Sequence, residues 1–395
     1  MNIKTKDLNT KNIVLLQVLP HLNSGGLVSG AVEVSNAVTK YGGKSIVLSS
    51  GGYKENELKR NNCILEFLRV DSKNPFKIYF NKDKIIKVIK KYNVNIVHAR
   101  SRAPAWSAYW AAKSVGLPFI TTFHGTYGIE SYFKKIYNSV MVKGDVVIAI
   151  SNFIKDHINK NYGVNKPVQV IPRGVNINLF SPKKVTKARM ISLANKLKTT
   201  EVDFIILMPG RLTEWKGQKH AIEAISKIKT TNFRLIIIGD KQRKKRYKDS
   251  LIRFAKLLNV DNYVQFVEHT RDLPAFMMLS DLILSCSTKP EAFGRIILEA
   301  QAMGRPVIAY NHGGAAELLK ENQNGILSPV NSTEILAKNI DLVLGYNSSE
   351  RKKISNKSIS NVKKNYQTKF MTQKTIVLYK RILRKFKNNE KNINH

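Results

Sequence analysis

Two glutamates lie in a segment whose glycines and short apolar runs suit a phosphorylated ligand. Pro290–Glu317 reads PEAFGRIILEAQAMGRPVIAYNHGGAAE, and seven residues separate Glu291 from Glu299, with Gly294 between them. Gly294 to Met303 has helical composition, and the following PVIAY has strand composition. A loop, a helix, a strand and a glycine-rich turn in this order place helix N-termini where they bind phosphate groups.

The two glutamates fall on either side of the expected helix start. If a helix begins near Gly294, the amides of its first turn are free to donate to a diphosphate, and the helix dipole adds to the attraction. Glu291 then precedes the helix, on the side of a terminal sugar. Glu299 lies about 7–8 Å further along the axis, near a ribose. Two other interpretations stay open: one capping and one solvated carboxylate on an amphipathic helix, or the acid and nucleophile of a glycosidase.

A second cluster follows the strand that is predicted at Phe204–Met208. The sequence PGRLTEWKG brings Arg211 and Lys216 close to a strand end. The planar fork of an arginine and the point charge of a lysine suit a diphosphate. The alternative is a pair of solvated cations on a loop, but the adjacent glycines favour phosphate contact.

The first half of the chain has weaker signals. Gly25 and Gly26 follow the first predicted strand and open a helix, where backbone amides approach a phosphate, although glycine pairs also form ordinary tight turns. The full dinucleotide fingerprint is missing, so no nicotinamide site is expected. His124 lies just past the predicted strand Phe119–Phe123, and a structural role is as well supported as a catalytic one.

Short Val- and Ile-rich runs alternate with amphipathic stretches along the chain, which predicts parallel α/β sheets covered on both faces. The pattern pauses near Val175–Ala188 and then restarts. We therefore expect two doubly wound, Rossmann-like domains facing across a cleft, at 1–182 and 183–362. An amphipathic helix at 363–388 is expected to pack back on the first domain, or else to lie on a membrane surface. The predicted strands are Ile13–Leu19, Ser45–Ser49, Ile96–Ala99, Phe119–Phe123, Val146–Ala149, Val168–Ile171, Phe204–Met208, Phe233–Gly239, Tyr263–Phe266, Asp281–Ser285 and Pro306–Tyr310.

Composition limits the class of protein. The 395 residues carry 66 basic and 28 acidic side chains, a formal net charge of 66 − 28 = +38. A functional basic surface and a codon bias toward Lys and Asn both explain this surplus. Cys63 and Cys286 lack a pairing pattern, which indicates a reducing compartment and no cysteine-based metal site. The apolar run at the N-terminus is too short for a membrane span, so we expect a cytoplasmic protein.

These motifs together resemble the family 4 retaining glycosyltransferases of the GT-B fold (glycosyl transferases group 1), in particular those that build bacterial lipopolysaccharide and other surface polysaccharides. The resemblance covers nearly the whole chain, with the motifs in family order. They are Gly25–Gly26, His124–Gly125, IPRGVN at Ile171–Asn176, RLTEWKG at Arg211–Gly217, EAFGRIILEAQAMGRPVIA from Glu291, and Gly313–Gly314 with Glu317.

The resemblance implies a nucleotide-sugar donor, most simply a UDP- or GDP-sugar, that is held mainly by the second domain. It also implies an acceptor bound by the first domain, retention at the anomeric carbon, and neither a cofactor nor a metal ion. By position, Arg211 and Lys216 would bind the donor diphosphate, and Phe293 and Gly294 would present amides to it. Glu299 would hold the ribose.

The same resemblance assigns catalytic positions. Glu291 would contact the donor sugar, His124 would lie beside the reacting sugar, and Gly25 and Gly26 would close over the phosphates. The departing phosphate is thought to guide or deprotonate the acceptor hydroxyl in this family, so no protein nucleophile is expected.

The chain departs from the family pattern mainly on the acceptor side. The usual Asn-Gly-Val-Asp is here Arg173-Gly174-Val175-Asn176. Arg173 is therefore a candidate acceptor contact, together with Arg100 and Arg102. Trp106 and Trp110 follow the last two. Surface charge and core aromatics explain Arg100, Arg102 and the tryptophans equally well.

The sequence thus predicts a glycosyltransferase that moves a hexose to a glycan or lipid-linked acceptor, with peripheral contact at the inner face of the cytoplasmic membrane. The alternatives are a basic protein that binds nucleic acid or a membrane surface, and another GT-B enzyme such as a nucleotide-sugar epimerase or a phosphorylase. No groove-reading or RNA-binding motif supports nucleic acid as a partner. The sugar, the acceptor and the oligomeric state are not defined by the sequence.

Overall fold

The structure, a computed structural model, describes residues 8–23, 25–164, 166–239, 245–268, 270, 272–319 and 324–393. The chain forms two compact units. The first unit contains the residues up to Arg173 together with those from Thr368 onward, and the second unit is Gly174–Gln367. The boundary predicted from the sequence lies after residue 182. The difference arises because Val175 N donates to Tyr366 O at 2.8 Å, which ties residues just after Arg173 to the end of the second unit.

Each unit is built on a parallel sheet. In the described part of the first unit the strand order is β3-β2-β1-β4-β5-β6-β7, and in that of the second unit it is β10-β9-β8-β11-β12-β13. Both orders reverse direction once, between β1 and β4 and between β8 and β11, as in doubly wound folds. The strands are β1 (Val14–Val18), β2 (Lys44–Ser49), β3 (Ile64–Phe67), β4 (Ile96–Ala99), β5 (Phe119–Phe123), β6 (Val146–Ala149), β7 (Val168–Val170), β8 (Phe204–Pro209), β9 (Phe233–Ile238), β10 (Val264–Val267), β11 (Leu282–Ser285), β12 (Val307–Tyr310) and β13 (Ile326–Ser328).

Helices connect the strands and cover the sheets. Several begin at residues whose side chains cap the helix: Asn74, before Pro75, accepts from Phe76 N and Lys77 N, and Ser151 accepts from Ile154 N. The helices are α1 (Gly26–Lys40), α2 (Glu55–Arg60), α3 (Pro75–Tyr92), α4 (Arg102–Ser114), α5 (Tyr132–Ser139), α6 (Asn152–Tyr162), α7 (Lys187–Leu197), α8 (Gln218–Ile225), α9 (Lys245–Leu257), α10 (Leu273–Leu279), α11 (Arg295–Ala302), α12 (Gly313–Leu318), α13 (Thr333–Leu344), α14 (Ser348–Asn365) and α15 (Thr368–Ile393).

The predicted class, α/β with two parallel sheets, is confirmed, and the central strands lie within a residue or two of their predicted bounds. The edge strands β3 and β13 were not predicted. Both are short, and most of their residues are only partly buried. They therefore lack the continuous apolar run that marks a central parallel strand.

The last helix belongs to the first unit. The segment that was predicted as one helix at 363–388 is interrupted at Gln367, and α15 begins at Thr368. Its apolar side joins the core that contains Leu15 and Ile96, and Tyr379 is fully buried there. The Tyr379 hydroxyl lies 2.6 Å from Nδ1 of His98 on β4. The alternative in which this apolar side lies on a membrane is therefore wrong. None of the helices in the described ranges is both long and apolar enough to span a bilayer.

Candidate active site

Two loops of the second unit meet where its strand order reverses. One follows β8 and carries Arg211 and Lys216, and the other follows β11 and leads to Glu291. Gly217, with φ of +75°, allows a close approach, since a Cβ at this position would lie 1.9 Å from Cys286 O. Thr288 N donates to Trp215 O at 2.8 Å. The two loops are thus held together through their backbones, at the edge where open α/β sheets bind ligands.

Lys216 and Glu291 form an ion pair in this place. Lys216 Nζ lies 2.6 Å from Glu291 Oε1, and each side chain is only 17% exposed. Ser287 Oγ donates to the same carboxylate oxygen. Such an ion-paired carboxylate accepts hydrogen bonds from its surroundings. This arrangement suits contact with sugar hydroxyls better than proton donation, and it disfavours the glycosidase interpretation.

Arg211 and Lys216 share one aromatic neighbour. The Lys216 Nζ lies 4.5 Å from the centre of the Trp215 ring, and the guanidinium carbon of Arg211 lies 5.8 Å from it. Arg211 is exposed, while its carbonyl oxygen accepts from Gln218 Nε2 at 2.9 Å. The structure therefore brings both predicted cations to one side of the β8 loop, with the arginine open to solvent.

The predicted helix start is present at α11. Gly294 is the residue before the helix and has φ of +91°, a conformation that favours glycine. Phe293 is buried beside it, and a Cβ on Gly314 would lie 2.6 Å from Phe293 Cα. Gly314 N donates to Glu291 O at 2.7 Å. The glycine turn after β12 thus packs directly on the backbone from Glu291 to Phe293 and fixes the start of α11, whose first amides are unpaired within the helix.

Glu299 lies on α11 and is buried. Its Oε1 accepts from Arg295, at 2.9 Å from Nη2 and 3.1 Å from Nε, and only 5% of the residue is exposed. The alternative in which Glu299 is a solvated surface carboxylate is therefore wrong. A buried carboxylate of this kind is held in one orientation, as a group that recognises hydroxyls must be.

Two residues of this site were not predicted from the sequence. Ser287 bonds Glu291, and Nε2 of His312 lies 2.6 Å from Ser287 O. Ser287 follows β11 and His312 follows β12. The rule that drew attention to His124, a polar residue just after a buried strand, would have found both.

In the first unit, Arg173 binds Gly26, the second residue of the glycine pair. Arg173 Nη2 donates to Gly26 O at 2.7 Å and lies 3.6 Å from Glu33 Oε2. The guanidinium covers Gly30 so closely that a Cβ there would lie 1.5 Å from Nη1. The side chain is buried, so its direct partner is the start of α1. This contact explains the departure of Arg173 from the family pattern in structural terms.

His124 lies past β5, near Arg173 and Arg100. Burial and the positive charges of these two arginines lower the pKa of His124 well below its ordinary value. The imidazole is therefore neutral at pH 7. Within the described residues, its buried Nε2 has no hydrogen-bond partner. The neutral ring thus has one buried nitrogen whose hydrogen-bonding capacity is not used among the described residues.

The candidate acceptor arginines diverge. Arg100 is buried, and its Nε donates to Gln17 Oε1 at 2.6 Å. Arg102 instead stacks 4.5 Å from the centre of the Tyr127 ring and donates to Asn138 Oδ1 at 3.1 Å. Arg100 and Arg173 thus lie near His124, whereas Arg102 is directed toward α5. Among the described side chains, no group of three His, Cys, Asp or Glu residues is arranged to hold a metal ion.

The two doubly wound sheets and the polar residues at their strand ends are typical of α/β enzymes, and comparison with known proteins identifies the family. Residues 192–361 match glycosyl transferases group 1, and residues 24–179 match glycosyltransferase family 4. A crystal structure of a glycosyltransferase from Rickettsia africae is 40% identical, with a TM-score of 0.87, over 94% of this chain and 98% of that one. The chain belongs to the glycosyltransferases and is a transferase enzyme.

The chain is also similar to more distant proteins. HepE of Anabaena, solved with UDP and glucose, shares the fold with a TM-score of 0.82 at 21% identity, over 92% of this chain and 98% of that one. The N-acetyl-α-D-glucosaminyl L-malate synthase of Bacillus anthracis is 26% identical over 63% of this chain. The match spans 65% of that relative, slightly less than two thirds of its length. The structural neighbours have the GT-B fold, as predicted.

Proposed function

We propose that the protein is a retaining glycosyltransferase that takes its sugar from a nucleotide-diphosphate donor bound by the second unit. The observation that carries this proposal is the ion pair of Lys216 and Glu291 beside the start of α11. We assign the cation of this pair to the diphosphate and the carboxylate to the sugar, because both lie near a helix start whose first amides are unpaired within the helix. Glu299 lies about 7 Å further along the helix axis and serves the ribose.

The proposed chemistry depends on stabilising the negative charge of the leaving diphosphate. As the glycosidic bond to the phosphate breaks, negative charge develops on the diphosphate. Lys216, the exposed Arg211 and the amides of Phe293 and Gly294 supply fixed positive charge and dipoles for it. We propose a UDP- or GDP-sugar as the donor, and HepE, which was solved with UDP and glucose, supports the UDP-sugar. Neither a cofactor nor a metal ion has an assigned role in this proposal.

We assign the acceptor to the first unit, where His124 provides a neutral imidazole near Arg100 and Arg173. Gly25 and Gly26 form the start of α1 there, where Arg173 binds Gly26. A glycan or lipid-linked acceptor of lipopolysaccharide or another surface polysaccharide fits the motif resemblance. Cytoplasmic action at the inner face of the membrane fits the charge of +38.

The test is product analysis. The protein is incubated with UDP-glucose, UDP-N-acetylglucosamine or GDP-mannose, and nucleotide release is measured with and without a lipid extract as acceptor. We expect release from one donor, faster with acceptor, and retention of the anomeric configuration by proton NMR. Release from none of the three donors in either condition would contradict the proposal, and an inverted product would contradict retention.

A further inference from the structure

The first unit carries aromatic side chains on its surface where a soluble protein usually has polar ones. Six residues of α3 and α5, called the α3–α5 surface below, are largely exposed. They are Phe76 (75%), Tyr79 (50%), Phe80 (62%), Tyr132 (75%), Phe133 (82%) and Ile136 (44%). Scattered apolar residues on a surface are ordinary, but a cluster of large ones indicates an interaction site.

The two helices that carry these residues are both in contact with α4. Tyr79 of α3 meets Trp110 of α4 at a ring distance of 5.8 Å, and Trp110 meets Trp106 at 5.3 Å. Trp106 Nε1 then donates to Tyr137 O of α5 at 2.9 Å. Two ring contacts and one hydrogen bond to a backbone carbonyl therefore connect α3 through α4 to α5.

Helix α5 exposes its apolar residues, unlike an ordinary surface helix. Its buried residue is the polar Asn138, whose amide donates to Gly128 O at 2.7 Å, while Tyr132, Phe133 and Ile136 point outward. A surface helix normally buries its apolar side against the core. The outward apolar side of α5 thus has no role in holding the first unit together.

Lysines surround these aromatic residues. Helix α3 carries six lysines against one aspartate, and Lys77 lies between Phe76 and Tyr79 in the chain. Lys134 and Lys135 follow Phe133 directly and are exposed. Three of the lysines have nearby carboxylates: Lys82 lies 3.5 Å from Asp83, Lys91 lies 2.8 Å from Glu66, and Lys134 lies 3.4 Å from Glu130. The balance stays strongly positive, in line with the net charge of +38.

We infer that the α3–α5 surface seats the first unit on an anionic lipid bilayer. Aromatic side chains that enter the boundary between headgroups and acyl chains, with lysines facing acidic headgroups, are the combination by which interfacial helices bind membranes. The inference rests on the peripheral location in the proposed function and names the face that makes the contact. It also assigns a function, the binding of acidic headgroups, to those lysines on this surface that contribute to the net charge of +38.

Vesicle flotation tests the inference. We expect the wild type to float with vesicles of equal parts phosphatidylcholine and phosphatidylglycerol, and far less with phosphatidylcholine alone. Tyr132→Ser with Phe133→Ser should lower the partition coefficient at least about tenfold, because two exposed aromatic groups lose their apolar burial. Lys134→Glu with Lys135→Glu should lower it by more than tenfold on the anionic vesicles. A matched control, Leu257→Ser with Leu342→Ser, removes two residues of the second unit that are 76% and 55% exposed, and it should float as the wild type does.

Three outcomes would overturn the inference: a wild type that stays unbound with anionic vesicles, aromatic variants that float unchanged, or a control that loses as much binding. Binding of a single-stranded oligonucleotide that the same aromatic variants abolish, without vesicle binding, would show a nucleic-acid surface instead. Nucleotide release from the donor in solution, measured on each variant, separates this inference from the proposed function. If the protein releases nucleotide from the donor but does not float with vesicles, only the membrane-binding inference is contradicted. If it floats but releases no nucleotide, only the proposed transferase function is contradicted.

Discussion

Lys216 and Glu291 stand 75 positions apart in the chain, yet Lys216 Nζ lies 2.6 Å from Glu291 Oε1. The contact joins the loop after β8 to the loop after β11, the two strands at which the second sheet reverses its order. In the proposed function, a diphosphate bound here competes with Glu291 for the same ammonium group. We therefore propose that the pair keeps Lys216 oriented until a donor binds.

Removal of the ammonium group should weaken donor binding. A hydrogen bond to a charged group is worth about 1.5–3 kcal/mol, so Lys216→Ala should raise the Kd for the nucleotide sugar roughly 10- to 150-fold in calorimetric titration. Lys219→Ala is the matched control, because this lysine is exposed on α8 and lies 4.7 Å from the Phe254 ring centre. Equal Kd values for Lys216→Ala and the wild type would remove Lys216 from the site.

Glu299 should act on the nucleoside and not on the phosphates. Glu299→Ala is expected to weaken binding of UDP at least about tenfold, because carboxylate bonds to ribose hydroxyls are lost, while the Kd for pyrophosphate changes less than twofold. Titration of both ligands on one variant provides its own control. If pyrophosphate and UDP lost affinity in parallel, Glu299 would act by holding the fold of α11 through Arg295.

Disturbing the contact between Gly30 and Arg173 should change the free energy of unfolding. Gly30→Ala places a methyl group where the guanidinium lies, 1.5 Å from Nη1, and should cost about 1–3 kcal/mol of the free energy of unfolding. Gly125→Ala should change it by less than about 0.5 kcal/mol, since no atom lies within 4 Å of that Cβ. Arg173→Ala combined with Gly30→Ala should cost less than the sum of the two single changes. Strict additivity in urea unfolding would show that the two residues do not touch.

Acid should destabilise the first unit through His98. Its ring lies 2.6 Å from the Tyr379 hydroxyl and 2.7 Å from Thr122 Oγ1, and burial lowers its pKa well below the ordinary value. The unfolded chain then binds a proton below about pH 6.5 that the folded chain does not, so stability is full above that pH and falls as the pH decreases. His98→Gln should reduce this slope by up to about 1.4 kcal/mol per pH unit between pH 6.5 and 5.5. Equal slopes for variant and wild type in urea unfolding would contradict this account.

Local pattern was enough to predict the central strands, since their apolar runs reflect burial on both faces of a parallel sheet. It was also enough to predict that Arg211, Lys216 and Glu291 lie at one edge of the sheet, because residues that follow parallel strands share that edge. It did not predict which side chains pair. Arg100 resembles a surface cation in sequence, but it is buried because Gln17, far away in the chain, accepts its Nε–H. Such partners depend on tertiary packing, and so does the divergence of Arg102 toward α5.

The most direct test of the central claim is a thermal-shift panel of UDP-, GDP- and ADP-sugars on the wild type, Lys216→Ala and Lys219→Ala. A ligand at about 100 times its Kd adds roughly 2.7 kcal/mol to the free energy of unfolding. At least one nucleotide sugar should therefore raise the melting temperature of the wild type and of Lys219→Ala equally. At the same ligand concentration it should raise that of Lys216→Ala by about half as much or less, because the Kd of this variant is expected to be at least tenfold higher. No shift across the whole panel, or a shift of wild-type size in Lys216→Ala, would contradict a donor site at Lys216 and Glu291.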